Sequence, residues 1–248
     1  MTLTPEDNSL TVSMLRVAAA HLKQIKIPQL VRPAVGPEDP PTVELIRWGV
    51  QLYSFAWIRH MSALVNGIVS LIDGDNQAAV RIIGRSSFEF CAHAYYVKKH
   101  LKQYLDASDL DATWEFLLPI GTGSRYISEF HSTSEQHELF PVGPHIRKVV
   151  NCFKEMTPKE THDDYSYLSE FCHPNMMTFL QHYRWTTPYV VEFVDEVEFD
   201  SFGTIAVSTI HGLMAIHQLL VLSQERQVNG AIATLLKAIA EQHREDKP

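Results

Sequence analysis

One stretch with very few charges, residues 75–105, constrains the fold more than any other part of the chain. Its middle carries only three formal charges, Arg81, Arg85 and Glu89. At about 100° per residue these side chains fall in one sector of a helical wheel, with His93 beside them and apolar residues among them. A helix that is apolar nearly all round is normally buried, and a buried charge needs a partner or a ligand. The stretch therefore predicts a helical protein with a polar cluster inside it.

The sequence on either side of this stretch predicts further helices. Apolar residues spaced by three and four predict an N-terminal helix, and five prolines among residues 28–41 predict an extended connector after it. Residues 42–72 again show helical spacing, and the D-G-D-N turn that follows predicts a long antiparallel helical hairpin over residues 42–105. The expected fold is mainly α, a single domain of about seven helices. Residues 1–41 would form the N-terminal helix and connector, and residues 42–248 the bundle.

Three segments near the C-terminus complete the expected fold. Residues 175–184 predict a helix, and alternating apolar residues over 189–199 then predict a small β-hairpin. Residues 201–224 carry no charge over a length that could span a bilayer. His211 and His217 in the middle of that segment favour a buried core helix over a membrane span.

Composition limits the classes of partner and the compartment. A net charge of -8 argues against non-specific binding to nucleic acid or to an anionic membrane, because such binding needs clustered Lys and Arg. It still allows a local basic pocket. Three cysteines without a C-x-x-C pair, and an acidic N-terminus without a signal peptide, predict a cytoplasmic protein.

A second polar motif lies in the run Y-S-Y-L-S-E-F-C-H-P, residues 165–174. Tyr165, Ser169 and His173 are each four residues apart and share one helical face. Pro174 disfavours the helical conformation at the residue before it, so His173 is expected at a helix break.

The two polar motifs allow three interpretations. They could form a buried network that only fixes helix register, or the charged sector could simply be exposed. In the functional interpretation Arg81 or Arg85 binds a phosphate or carboxylate, Glu89 orients the guanidinium, and His173 acts as an acid or base. The candidate catalytic residues are then Arg85, Glu89 and His173, and the candidate substrate-binding residues are Arg81, His93, Tyr165 and Ser169.

No metal or cofactor is expected. Helical di-iron proteins carry E-x-x-H on two helices. Glu170 and His173 form one such pair, but the second copy is missing from the sequence. A di-metal bundle is therefore the least favoured of the functions considered.

The R-S-S-F-E of residues 85–89, together with Y-S-Y-L-S-E-F-C-H-P, resembles an uncharacterised bacterial all-helical family of unknown function. That family carries R-S-x-x-E and Y-x-x-L-S-x-x-x-H motifs, and the resemblance covers residues 42–184. A more distant similarity is to HEPN (higher eukaryotes and prokaryotes nucleotide-binding) domains, many of which are ribonucleases in toxin or phage-defence systems and often complete their site across a dimer. Their Arg and His have four to six residues between them on one helix, whereas Arg85 and His93 have seven between them.

The resemblance implies a HEPN-like protein, with a homodimer and a defence or toxin–antitoxin role as further implications. It would bind or act on a nucleotide or RNA phosphate through Arg85, Glu89 and His173. The alternative is a non-enzymatic structural or interaction module whose polar network only specifies the fold. No membrane partner is expected under either hypothesis.

Overall fold

The computed structural model describes residues 5–34, 36, 39–122, 146–154, 165–166, 168–169, 183–187, 190–193 and 202–245. Helices dominate this part of the chain, which confirms the prediction of a mainly α protein. In chain order the elements are α1 (Pro5–Gln24), α2 (Val43–Asp73), α3 (Gln77–Asp106), α4 (Leu110–Thr122), α5 (Ile146–Lys154), β1 (Tyr183–Thr187), β2 (Val190–Phe193), α6 (Phe202–Leu222) and α7 (Gln227–Glu245).

Side-chain caps define the starts of the two longest helices. The Thr42 hydroxyl oxygen accepts a hydrogen bond from the backbone N–H of Leu45 at 3.2 Å, at the start of α2. The Asn76 side chain accepts from the backbone N–H of Ala79 at 3.1 Å, at the start of α3. Such caps satisfy N–H groups that have no partner within the helix. They place the reversal of the chain between α2 and α3 at the short turn that ends with Asn76.

Two hydrogen bonds join α2 to α3. The Tyr53 hydroxyl lies 2.9 Å from Nδ1 of His93. One turn later on α2, the Trp57 indole donates to the backbone oxygen of Phe90 at 2.9 Å. A later residue of α2 thus meets an earlier residue of α3. The second bond joins the indole of one helix directly to the backbone of the other, which fixes their relative register.

α3 packs against four other described helices, α2, α4, α5 and α6. Its contact with α6 is especially close because glycine lies at two crossing points. Gly84 of α3 faces the side chain of Ile205 of α6. A Cβ atom at Gly212 of α6 would lie 2.7 Å from Sγ of Cys91 and 2.8 Å from the Trp57 ring. Only a residue without a side chain leaves room for these neighbouring side chains against the helix backbone, so α3 and α6 pack closely at both points.

The two strands pair antiparallel, with Tyr183 opposite Phe193 and Arg184 opposite Glu192. The structure therefore does not support the hairpin predicted over residues 189–199, because β2 pairs with the segment before it. The predicted helix over residues 175–184 is wrong at its last two residues, which begin β1. The strand run Y-R-W-T-T is rich in aromatic and β-branched residues, which favour extended backbone.

Two described helices, α2 and α6, are long and apolar enough to cross a membrane when judged by length and composition alone. The most apolar part of α6 has a mean hydropathy of 1.7, and 56% of it is buried in the fold. The corresponding values for α2 are 1.3 and 33%. The core helices of soluble proteins meet the same two criteria, so the absence of a membrane partner stays a prediction.

Candidate functional site

Glu89 joins the two polar motifs. One of its carboxylate oxygens, Oε1, accepts a hydrogen bond from Nε of Arg85 at 3.1 Å and another from the hydroxyl of Tyr165 at 2.8 Å. The side chains of Arg85 and Glu89 are 26% and 25% exposed. Hydrogen bonds to an ionised acceptor are the stronger kind, and partial burial strengthens them further. The cluster is therefore held together at the edge of the core and still reaches solvent.

Aromatic packing holds the Tyr165 ring beside Glu89. Phe88, the neighbour of Glu89 on α3, stacks on the Tyr165 ring with centroids 5.0 Å apart and an interplanar angle of 29°. Phe153 of α5 then meets Phe88 edge-on at 5.3 Å. Stacked and edge-on pairs at such separations are favourable beyond the area they bury. The hydroxyl of Tyr165 is thus held beside Glu89 by the Phe88 ring of α3, which Phe153 of α5 supports from another side.

Ser169 lies one turn after Tyr165, and its hydroxyl donates to the backbone oxygen of Tyr165 at 2.8 Å. Burial raises the pKa of Tyr165, and the hydrogen bond and negative charge of Glu89 raise it further. Hydrogen bonds from Arg85 and Ser169 act in the opposite direction on that pKa. The phenol therefore stays protonated at neutral pH, where it acts as a hydrogen-bond donor and not as a base.

A groove of about 360 Å³ opens beside Tyr165. Tyr165 and Ser169 line one wall, and Arg147 and Asn151 of α5 line the other. This volume falls within the range of small-molecule sites. Tyr165 therefore connects the cluster to a space that a solute can enter, whereas Arg85 and Glu89 are not among the residues that line the groove.

Sequence reasoning missed Arg147 and Asn151. They lie four apart on α5, and the intervening Val149 and Val150 are buried in the core. That amphipathic spacing marks Arg147 and Asn151 as outward-facing, but it does not show what they face. Only the packing of α5 beside the Tyr165 segment, residues 165–166 and 168–169, brings them to the groove.

Arg81 and His93, predicted as substrate contacts, lie on α3 but away from this groove. Arg81 is 1% exposed and belongs to the core. His93 contacts Tyr53 of α2, and burial lowers its pKa from 6.5 to about 4. His93 is therefore neutral at physiological pH and accepts or donates a single hydrogen bond within the α2–α3 contact.

His173 and Glu170 lie outside the described residues, so the structure does not place the predicted acid or base. Within the described part of the chain, no three His, Cys, Asp or Glu side chains are grouped so that they could hold a metal ion. The di-metal alternative depended on Glu170 and His173, and it stays a prediction.

Comparisons of the chain with protein-family models, with curated proteins and with solved structures found no match.

Proposed function

We propose that the protein binds the phosphate of a nucleotide or RNA in the groove beside Tyr165, with Arg85 as its main cationic contact. The observation that carries the proposal is the shared carboxylate oxygen of Glu89, which accepts hydrogen bonds from Arg85 and from Tyr165, the member of this cluster that also lines the groove. A carboxylate that holds Nε of an arginine fixes the plane of the guanidinium. A guanidinium of fixed orientation is suited to bidentate contact with phosphate oxygens.

The remaining parts of the HEPN-like hypothesis belong to this proposal. His173 would act as the acid or base, and Tyr165 and Ser169 would donate hydrogen bonds to the phosphate. Arg147 supplies a second guanidinium on the facing wall of the groove. A dimer and a defence role rest on the resemblance alone.

The competing proposal is a polar network without a ligand, which would fix the register of a central hairpin over residues 42–105. Its support is that Glu89 and Tyr165 bond to each other across the fold and that Phe88 packs on Tyr165. Networks of this kind specify a fold without binding anything.

Calorimetric titration with inorganic phosphate, AMP and a short single-stranded RNA distinguishes these proposals. Arg85→Ala should abolish binding, and Arg85→Lys should weaken it because a lysine cannot form the planar two-point contact. Lys102→Ala removes the same charge from an exposed position on the same helix and should leave binding unchanged. If the wild-type protein binds none of the three ligands, or if Arg85→Ala binds as the wild type does, phosphate binding at this site is wrong.

Hydrolysis is tested separately with an end-labelled RNA of mixed sequence. His173→Ala should stop cleavage and leave phosphate binding intact, because an acid or base acts on the reaction and not on the affinity. Binding without any cleavage by the wild type would leave a binding protein and reject the catalytic assignment.

A further inference from the structure

A second groove, of about 460 Å³, lies between the end of α1 and the side of α2. Ile25 and Ile27, from the chain that follows α1, form an apolar wall, and Ile58 of α2 lies opposite them in the lining. Ligand sites of this size combine mostly apolar walls with a few polar groups that set orientation. The groove combines two apolar side chains, Ile25 and Ile27, with polar and charged ones.

The groove is built by contacts that join its two sides. The side-chain amide of Asn66 on α2 donates to the backbone oxygen of Ser62 at 2.6 Å and to that of Ala19 on α1 at 3.5 Å. The backbone N–H of Ile25 bonds to the oxygen of Leu22 at 3.3 Å, which turns the chain as α1 ends. Because these bonds set the spacing of α1 and α2, the opening exists without a ligand, and pre-formed sites lose little free energy on binding.

Two cations lie in the lining, Lys23 of α1 and Arg59 of α2, and none of the lining residues is acidic. This is unexpected in a protein with a net charge of -8. Other bases of the described structure do form ion pairs, as Arg16 does with Asp73 at 2.6 Å. Neither Lys23 nor Arg59 forms an ion pair with any described residue. Among the described residues, the groove thus presents two cations without an acidic partner beside Ile25 and Ile27.

We propose that this groove binds a small organic anion with an apolar body. Lys23 and Arg59 hold its acidic group, and the partly exposed Ile25 and Ile27 contact its body. The site is independent of the groove beside Tyr165, since the two share no lining residue.

Calorimetric titration with decanoate tests the proposal, since decanoate carries one carboxylate on an apolar chain. Acetate supplies the head group alone and octyl glucoside supplies an apolar chain without charge. Both should bind at least about tenfold more weakly than decanoate, because each offers only half of the contacts. No heat of binding with decanoate, or equal binding of octyl glucoside, overturns the proposal.

The double variant Lys23→Gln/Arg59→Gln should weaken decanoate binding by about tenfold or more, which corresponds to the loss of two charge contacts. Its matched control is Lys237→Gln/Arg244→Gln, which removes the same charge from α7 and should bind decanoate as the wild type does. Equal weakening in both double variants would show a general charge effect and reject the site.

Ala63→Glu tests the lining at a third position. Ala63 is exposed on α2, where glutamate suits a helix, and the new carboxylate faces an anionic ligand in the groove. Decanoate binding should be lost while the free energy of unfolding is unchanged. Retained binding in this variant contradicts the proposed location.

Discussion

Helix α3 carries two ion pairs of the same spacing, and the fold encloses only one of them. Nε of Arg85 lies 3.1 Å from Glu89, with both side chains about one quarter exposed. Nζ of Lys102 lies 2.6 Å from Asp106, with side chains 63% and 65% exposed. In both pairs the base precedes the acid by four residues, which is the weaker orientation on a helix. The two ion pairs therefore differ in the surroundings of their side chains and not in their spacing along the helix.

The longer of the two contacts is expected to matter more. The Lys102 pair is surrounded by water, where an ion pair contributes about 0 to 1 kcal/mol whatever its distance. Glu89 instead accepts a second hydrogen bond from Tyr165, and neighbouring aromatic rings limit its access to water. The number of partners and their burial decide the strength of such a pair, and a short distance alone does not.

The largest effect is expected at Arg81, which lies one helical turn before Arg85 on α3. Its side chain is 1% exposed, so Arg81→Ala should lower the free energy of unfolding by about 3 to 5 kcal/mol, by leaving its interacting groups incomplete and a cavity in the core. Lys102→Ala should change it by less than about 1 kcal/mol. Urea denaturation of both variants measures the difference, and a loss below about 1 kcal/mol in the Arg81 variant would contradict the contrast between the enclosed and exposed parts of α3.

The pH dependence of the free energy of unfolding tests the buried part of α3 through His93. Because its pKa falls from 6.5 to about 4 on folding, the unfolded chain binds a proton between these values that the folded chain does not. Acid therefore favours unfolding, and His93 should account for about 2 kcal/mol of lost stability between pH 7 and pH 5. His211, whose pKa burial also lowers, acts in the same direction.

Urea denaturation at pH 7, 6 and 5 measures this dependence. His93→Gln should show a smaller loss of stability in acid than the wild type, with the remaining slope partly due to His211. Equal slopes for the wild type and the His93 variant would show that His93 is not a neutral buried residue.

The smallest effects concern the shared carboxylate itself. Glu89→Ala should lower the free energy of unfolding by about 2 kcal/mol and Tyr165→Phe by about 1 kcal/mol, because the first removes two charged hydrogen bonds and the second removes one. Asp106→Ala should cost less than about 1 kcal/mol. If urea denaturation finds the same loss of stability for Glu89→Ala and Asp106→Ala, burial of the Arg85–Glu89 pair has no energetic consequence.

The sequence could predict the helices and the two polar motifs, because helical spacing and capping residues are local signals. The wheel places Arg81, Arg85 and Glu89 in one sector, but it cannot show that Arg81 is buried while Arg85 borders solvent. That distinction depends on which neighbouring helix covers each turn. The contact between Glu89 and Tyr165 joins residues 76 positions apart, so only tertiary packing reveals it.

The structure also revealed features that carry no local signal. Arg147 reaches the groove through the packing of α5 beside the Tyr165 segment. The β1–β2 pairing was missed because the spacing of residues 175–184 fits a helix, although the aromatic and β-branched residues that follow favour a strand. Pairing partners are set by the whole fold, and a short segment does not specify them.

The glycine crossings at Gly84 and Gly212 bear on how this protein could adapt to a bound molecule. With side chains packed directly against both glycines, α6 and α3 cannot slide or separate without opening a void, so the α3 side of the Arg85–Glu89 cluster is expected to be rigid. The opposite side rests on ring contacts made by α5, which tolerate small rotations far better. Any adjustment of the cleft to its occupant should therefore come from α5 moving against a stationary α3.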